Sequence, residues 1–316
     1  MEKSKELVLV TGASGYIASH LSKQLLEQGF RVRGTVRSLK DEKKLTPLRN
    51  LTPNPKYPLE LVEADLLNEE SWLNAVKDCS FVMHVASPFP NKIPENENEL
   101  IEPAVLGTLS VLKACVQEQS QVKRVVLTSS VAAIFGDSFT HNRCYTEKDW
   151  PDLKTLHPYA KSKCLAEKAA WKLVEERKQK GLPCFELAVI NPGFVMGPLL
   201  HDTPCTSIEF VERLMMRKMP LIPCLSMPIC DVRDVALAHI RAMLTNEAVN
   251  NRHIVNSQAD FVSIKEIALI LEAEFKKQGY NVPTSQAPNL FIKMFSIFDK
   301  PVRQVNMFII FSSILL

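Results

Sequence analysis

Short apolar runs alternate with longer amphipathic stretches along the first two thirds of the chain. Helical spacing of apolar positions is clear at Ile17, Leu21 and Leu25, and again in 99–119 and 157–180. Regular strand and helix alternation is typical of an α/β fold with a doubly wound parallel sheet, which places ligands at the carboxyl ends of its strands. The predicted strands are 7–10, 31–36, 59–63, 81–86, 122–130 and 186–190.

A glycine turn joins the first predicted strand to the first predicted helix. The segment 11–18 reads T-G-A-S-G-Y-I-A, so Gly12 and Gly15 stand where a missing Cβ lets a ligand approach the backbone. The N–H groups that open a helix have no intrahelical partner and suit a pyrophosphate. Small Ala18 allows close packing of helix and strand. The spacing differs from G-x-G-x-x-G, and glycine pairs also occur in bare turns, so the turn alone leaves dinucleotide binding as one of two interpretations.

Basic residues follow the second predicted strand. Arg37 stands at its tip, where an NAD site usually carries an acidic residue for the ribose 2′-hydroxyl. An arginine there favours the 2′-phosphate of NADP(H), and Lys44 is a candidate second partner for that phosphate. We expect Lys40 and Lys43 to coat a solvated helix.

Polar residues end the third and fourth predicted strands, and a histidine lies within the fourth. Asp65 is placed either to accept a hydrogen bond from an adenine amino group or to cap a helix that begins near Asn68. His84 lies within an apolar run and is expected to be a satisfied core histidine. Ser87 and Pro88 then end the strand where the central part of a dinucleotide should pass.

A tyrosine, a lysine and a serine form the candidate catalytic group. Tyr159 and Lys163 are four residues apart on a predicted helix, so both lie on one face, while Lys161 points elsewhere. A neighbouring ammonium is expected to lower the pKa of Tyr159 and make it a general acid or base. Lys163 could also bind a nicotinamide ribose, and Ser130, at a strand end, would hold a substrate carbonyl oxygen.

Composition excludes few function classes. The chain has 316 residues and a net charge of +3, without a basic stripe interleaved with aromatics, so we expect no nucleic-acid partner. Its first residues contain no apolar signal region, which favours a cytoplasmic protein. Eight cysteines, without C-x-x-C or zinc spacing, predict reduced thiols and no metal site.

Together these motifs resemble the extended short-chain dehydrogenase/reductases, most closely the dihydroflavonol 4-reductase and cinnamoyl-CoA reductase subgroup. The resemblance covers about residues 6–305 and includes the segment 191–198, N-P-G-F-V-M-G-P. It implies a Rossmann-type domain, NADP(H) as cofactor, a small-molecule carbonyl substrate, Ser130 as oxyanion donor, Tyr159 as proton donor and Lys163 as ribose ligand. Implied cofactor contacts are Gly12, Gly15, Tyr16, Ile17, Arg37, Lys44, Asp65, Leu66, Val85, Ser87, Tyr159, Lys163, Pro192, Val195 and, more weakly, Ser207.

One departure from the subgroup concerns the substrate. Plant dihydroflavonol reductases carry a flavonoid-binding asparagine five residues after the catalytic serine, and this chain has Phe135 there. The cinnamoyl-CoA reductase signature after the serine is also unmatched. The resemblance therefore implies the type of reaction but not the substrate. A hydroxysteroid dehydrogenase, a sugar-nucleotide epimerase and a non-catalytic NADP-sensing regulator stay as alternatives.

The domain prediction places a Rossmann domain at 1–200, with 228–258 returning to it, and a mainly substrate-binding lobe at 201–316. Asp231 is expected to cap or flank a helix that begins near Arg233. The final ten residues, 307–316, are largely apolar but too few to cross a bilayer, so no transmembrane segment is predicted. We expect instead that the C-terminus is altered or truncated relative to the subgroup.

Overall fold

The computed structural model describes residues 6–88, 96–136, 143–203, 205–257 and 261–287. Its strands are β1 (Leu7–Val10), β2 (Arg31–Val36), β3 (Glu60–Glu63), β4 (Phe81–His84), β5 (Arg124–Thr128), β6 (Glu186–Pro192), β7 (Phe194–Met196), β8 (Ser226–Met227), β9 (Ile229–Asp231), β10 (Arg252–Val255) and β11 (Val262–Ser263). Its α-helices are α1 (Tyr16–Glu27), α2 (Glu42–Arg49), α3 (Ser71–Val76), α4 (Asn98–Cys115), α5 (Ala132–Phe135), α6 (Pro158–Gln179), α7 (Thr206–Met215), α8 (Val232–Leu244) and α9 (Ile264–Phe275), with short 3₁₀ turns at Asn246–Ala248 and Lys276–Gln278.

A parallel sheet of seven strands forms the centre of the molecule, in the order β10-β6-β5-β4-β1-β2-β3. The chain moves outward in one direction through β2 and β3 and in the other through β4, β5 and β6. The carboxyl ends of β1 and β4 therefore flank the point where the winding reverses, which is where open α/β sheets bind ligands. This arrangement confirms the predicted doubly wound α/β fold.

Helices cover both faces of this sheet. On one face α1 and α8 pack together, and the side chains of Leu21, Leu25 and Ile240 join one apolar core with the sheet. On the other face α3, α4 and α6 surround a second core that contains Trp72 and Leu112. Each fully buried leucine contributes about 1.5–3 kcal/mol through the hydrophobic effect, which explains why the apolar periodicity predicted these helices.

Two elements from the segment 228–258 join the main sheet and the helices that cover it. β10 pairs in parallel with β6 at the edge of the sheet, and α8 packs against α1. Asp231 is the N-cap of α8, and its carboxylate accepts a hydrogen bond from the Arg233 N–H, which confirms the capping prediction.

A smaller unit follows the main sheet. It contains α7, α9, the antiparallel pair β8 and β11, and a separate apolar cluster that includes Leu214, Ile222 and Ile267. The apolar tail at 307–316, for which an altered or truncated end was expected, lies outside the described residues. Within the described ranges, no helix has the length and apolar character needed to cross a membrane.

Strand β4 is shorter than its apolar pattern predicted. The expected strand runs to residue 86, but β4 ends at His84. The N–H groups of Val85 and Ala86 instead donate to Thr11 Oγ1, at 3.0 and 2.9 Å. The side chain of Thr11, directly after β1, therefore ends the ladder of β4 at the point where the winding of the sheet reverses.

Candidate active site

The glycine turn between β1 and α1 forms an open cradle of backbone groups. Gly12 has φ +66°, and its N–H donates to Thr35 Oγ1 at 2.9 Å. A Cβ on Gly12 would lie 3.1 Å from the Ala86 Cβ, so the turn approaches the end of β4 closely. Gly15 is the N-cap of α1, and no side chain caps that helix. The first N–H groups of α1 are thus left for an external acceptor, which fits a pyrophosphate.

Tyr16 and Ile17 occupy the first turn of α1. The Tyr16 hydroxyl donates to the carbonyl oxygen of Gly197 at 2.7 Å, and burial raises the pKa of this tyrosine. The Tyr16 hydroxyl is therefore bound to the loop after β7, and its main-chain N–H is the group that could contact a cofactor. Ile17 is partly buried next to it.

Arg37 is exposed directly after β2, at the edge of the sheet that carries the glycine turn. Lys44 lies farther along in α2, and its ammonium forms an ion pair with Asp41 at 3.2 Å. Both cations are solvated, and Lys44 would have to leave a local partner to meet a 2′-phosphate.

Asp65 and Leu66 follow β3. The Asp65 carboxylate accepts a hydrogen bond from the Leu67 N–H at 2.8 Å, which closes a local turn. Helix α3 begins at Ser71, so the alternative that Asp65 caps a helix near Asn68 is wrong. Leu66 packs against α4, where a Cβ on Gly107 would meet the Leu66 Cβ at 3.0 Å.

His84 is a core histidine, as predicted. It is 1% exposed, and its Nδ1 lies 3.0 Å from Thr11 Oγ1. Because that oxygen already accepts from Val85 and Ala86, its proton is directed to His84. Burial, followed by the nearby Lys163 ammonium, lowers the pKa of His84 to about 3, so the ring is neutral at physiological pH.

Ser130, Tyr159 and Lys163 converge at the carboxyl edge of the sheet. Ser130 follows β5, and its hydroxyl forms a hydrogen bond with the side chain of Tyr159 from the first turn of α6. The Lys163 ammonium lies 6.0 Å from the centre of the Tyr159 ring and donates to Ser87 Oγ at 2.9 Å. Val85, between His84 and Ser87, is partly buried beside this group.

The pKa of Tyr159 differs from the expectation. Burial raises it, and the hydrogen bond from Ser130 is the effect that lowers it; the Lys163 ammonium is not among the causes. The ammonium is instead drawn to Ser87, and burial lowers the pKa of Lys163 to about 8. The expected lowering by Lys163 is therefore wrong for the ligand-free protein. Lys161, as predicted, points away and pairs with Glu97 at 2.8 Å.

The remaining predicted cofactor contacts lie on three different elements, β6, β7 and α7. Pro192 ends β6, and its carbonyl oxygen accepts from the Val131 N–H at 3.0 Å. Val195 lies in β7, while Ser207 is 7% exposed in α7 with its hydroxyl 3.2 Å from Cys205 Sγ. Of these three residues, Pro192 alone belongs to the seven-stranded sheet, next to the segment that carries Ser130.

Aromatic rings surround the segment after Ser130. The Phe135 ring lies 5.7 Å, between ring centres, from both Tyr145 and Phe261. A cavity of about 190 Å³ lies next to Phe135 and is also lined by Tyr145 and Trp150. Phe135 thus packs among aromatic rings, while the cavity beside it is also lined by charged side chains, among them Arg143 and Asp152.

Sequence reasoning missed a buried ion pair behind the catalytic residues. Glu167 and Arg252 join at 2.5 Å, and their side chains are 0% and 7% exposed. Glu167 lies four residues after Lys163, a spacing that could have drawn attention to it. Nothing local in the sequence indicated Arg252, because the two partners are 85 positions apart.

Comparison with known proteins agrees with this geometry. The family model described as the NAD dependent epimerase/dehydratase family matches residues 8–256. The chain belongs to this family. Cinnamoyl-CoA reductase CAD2 of Medicago truncatula is 40% identical over 254 residues, which are 78% of this chain and 74% of the relative. Dihydroflavonol 4-reductase of Arabidopsis thaliana is 36% identical over 293 residues, covering 90% and 73% of the two chains.

Among solved structures, this family member is similar to the yeast methylglyoxal/isovaleraldehyde reductase Gre2, which was crystallised with NADPH. The TM-score is 0.76 at 32% sequence identity, over 89% of this chain and 86% of the yeast chain. The resemblance to the dihydroflavonol 4-reductase and cinnamoyl-CoA reductase subgroup is thereby confirmed, and with it the Rossmann-type fold.

Proposed function

We propose that this protein is an NADPH-dependent reductase that converts an aldehyde or ketone to the alcohol, with Tyr159 as the proton donor. The observation that carries the proposal is the hydrogen-bonded pair of hydroxyls, Ser130 and Tyr159, with Lys163 on the same helix. This group stands at the carboxyl edge of the sheet, the same edge at which α1 begins without a side-chain cap.

Ser130 and Tyr159 would have different roles in carbonyl reduction. A carbonyl oxygen between Ser130 and Tyr159 would accept a hydrogen bond from each hydroxyl, which stabilises the negative charge that develops there. Tyr159 then transfers its proton to that oxygen. Because burial raises its pKa, Tyr159 is protonated at neutral pH and is ready to act as an acid. NADPH, when bound, supplies the hydride that is added to the carbonyl carbon.

The residues that would hold NADPH follow the sheet edge. Gly12, Gly15 and the first N–H groups of α1 suit the pyrophosphate, and Arg37 offers a charge for the 2′-phosphate. Lys163 would exchange its hydrogen bond to Ser87 for the nicotinamide ribose. The preference for NADPH is supported by the yeast Gre2 complex and by Arg37 in place of an acid.

The first experiment combines cofactor binding with turnover. Purified protein is titrated with NADPH and NADH, and NADPH consumption is followed with aliphatic aldehydes, aromatic aldehydes, ketones and dihydroflavonols. We expect NADPH-selective binding and turnover of at least one carbonyl class. Tight NADPH binding without turnover of any carbonyl would favour a non-catalytic NADP-sensing regulator. Tight NADH binding would favour an epimerase.

A tyrosine variant tests the proton donor. Tyr159→Phe should lower turnover roughly 10²- to 10⁴-fold, the range for losing a general acid, and leave NADPH affinity nearly unchanged. Tyr57→Phe is the matched control, because Tyr57 precedes β3 at the opposite edge of the sheet. Equal turnover of Tyr159→Phe and the control would remove Tyr159 from the mechanism.

A further inference from the structure

The carboxylate of Glu167 gathers hydrogen bonds from several elements. Its Oε2 accepts from Ser129 Oγ at 2.5 Å and from Asn191 Nδ2 at 3.0 Å. Its Oε1 accepts from Trp171 Nε1 at 3.2 Å and from Arg252 Nε at 2.5 Å. The side chain is fully buried, so each donor replaces water that the charge has lost.

The Arg252 guanidinium is equally well satisfied. Besides its bond from Nε, it donates from Nη2 to Glu167 Oε2 at 3.3 Å and to the Ala133 carbonyl at 2.7 Å. Its Nη1 donates to the carbonyl oxygens of Glu147 and Asp149, at 3.0 and 2.6 Å. All five N–H groups of the guanidinium therefore have protein acceptors.

These contacts enclose Ser130 from both sides along the chain. Ser129, directly before it, is bound through its hydroxyl to Glu167, and Ala133, three residues after it, is bound through its carbonyl to Arg252. Asn191 donates to the carbonyl oxygen of Ser130 itself at 3.1 Å. The main-chain segment that carries the Ser130 hydroxyl is thus held by Glu167, Asn191 and Arg252.

The same ion pair also reaches the other catalytic element. Glu167 lies one helical turn beyond Lys163 on α6, the helix that begins with Tyr159. The ion pair therefore connects the end of β5, the end of β6 and the catalytic helix through one pair of side chains. A buried ion pair of this kind is often no more stabilising than apolar residues of the same volume, so stability alone does not account for it.

We propose that Glu167 and Arg252 are positioning residues that hold Ser130 at hydrogen-bond distance from Tyr159 and so set the geometry of proton transfer. This inference rests on the proposed reductase function, because the hydroxyl pair matters most where a carbonyl oxygen must sit between the two groups. A displacement of about 1 Å in such a group can cost about 100-fold in rate. The pKa of Tyr159 supports the same connection, since the Ser130 hydrogen bond lowers it.

The test removes one contact and leaves the two charges paired. Ser129→Ala deletes the donor that links the β5 end to Glu167, whereas removing Glu167 or Arg252 would leave a buried charge and endanger folding. Ser110→Ala is the matched control: Ser110 and Ser129 are both 6% exposed, and the Ser110 hydroxyl donates to a carbonyl within α4.

In Ser129→Ala, we expect kcat about 10-fold lower with unchanged NADPH affinity. Because the Ser130 hydrogen bond that lowers the pKa of Tyr159 is weakened, the basic limb of the kcat profile should move to higher pH. Ser110→Ala should change neither quantity. In a Ser130→Ala background, the Ser129 substitution should cause no further loss, because the group through which it acts is already gone.

Amide hydrogen exchange gives a readout that needs no substrate. Exchange in the segment 129–136 should be faster in Ser129→Ala than in wild type, and unchanged there in Ser110→Ala. The positioning role would be overturned if wild type reduces a carbonyl and Ser129→Ala has the same kcat and the same pH dependence of kcat as wild type. If wild type reduces no carbonyl, the proposed function fails instead, and unchanged exchange in 129–136 would then overturn the positioning role separately.

Discussion

Replacing Lys163 by methionine should make the ligand-free protein more stable and less active. The ammonium is partly buried at the sheet edge, its partner is the neutral hydroxyl of Ser87, and burial lowers its pKa from the ordinary 10.5 to about 8. Methionine keeps an unbranched side chain of similar length and removes the charge. The substitution therefore isolates the cost of holding an ammonium ready for the cofactor.

The size of the effect follows from the pKa. A change from 10.5 to about 8 corresponds, at 1.36 kcal/mol per pH unit, to about 3 kcal/mol, which partial exposure reduces to about 2 kcal/mol. Below pH 8 both the folded and unfolded states carry the proton, so the full cost is present. Between pH 8 and 10.5 the unfolded state binds more protons, so wild-type stability rises with pH and the cost disappears.

The assay is thermal unfolding of wild type and Lys163→Met without cofactor at pH 7 and at pH 10. For a chain of this size, about 2 kcal/mol corresponds to roughly 3 °C in Tm at pH 7, and the advantage should shrink at pH 10. Saturating NADPH should stabilise wild type more than the variant. Lys161→Met is the control, since the ion pair of Lys161 with Glu97 is partly exposed and contributes about 0–1 kcal/mol.

Two results would refute this reasoning. Lys163→Met could prove no more stable than wild type at pH 7, in which case the ammonium is not desolvated as its surroundings indicate. Alternatively, its advantage could be the same at pH 7 and pH 10, in which case the gain comes from packing and not from the charge.

Other predictions concern the cofactor cradle. Arg37→Ala should weaken NADPH binding about 10- to 100-fold, the value of a charge-assisted hydrogen bond, with little effect on NADH; equal weakening in titrations would contradict the 2′-phosphate assignment. Gly12→Ala should cost about 1–2 kcal/mol in unfolding free energy from its φ of +66°. It should also weaken NADPH binding, because the new Cβ would lie 3.1 Å from the Ala86 Cβ. Gly181→Ala, at φ +64° with open space around it, should show the backbone cost alone, and a similar NADPH loss in both variants would contradict a role for Gly12 in the cradle.

Features set by neighbouring positions in the chain were predicted well. Apolar runs located β1 and β2 at their observed bounds, and the four-residue spacing of Tyr159 and Lys163 placed both on α6. Such features follow from strand and helix periodicity, which acts over a few residues. The prediction that His84 is a core residue succeeded for the same reason, because its neighbours in the run are apolar.

Features set by distant contacts were not predictable in this way. β4 ends early because Thr11, more than 70 positions away, takes two of its expected N–H donors. Lys163 binds Ser87 across 76 positions, and the burial that raises the pKa of Tyr159 also comes from distant packing. The expected effect on the tyrosine pKa was therefore wrong in direction for the ligand-free protein.

The sequence by itself determined the alternation of the first six strands with helices, the glycine turn, the candidate catalytic trio and the basic residue that favours NADP(H), because each depends on residue type and short spacing. The tertiary structure alone decided how the trio is held and how its protons are distributed. The physical reason is burial: desolvation raises the pKa of Tyr159, lowers that of Lys163 and leaves Glu167 dependent on Arg252. Burial arises only when distant segments pack together.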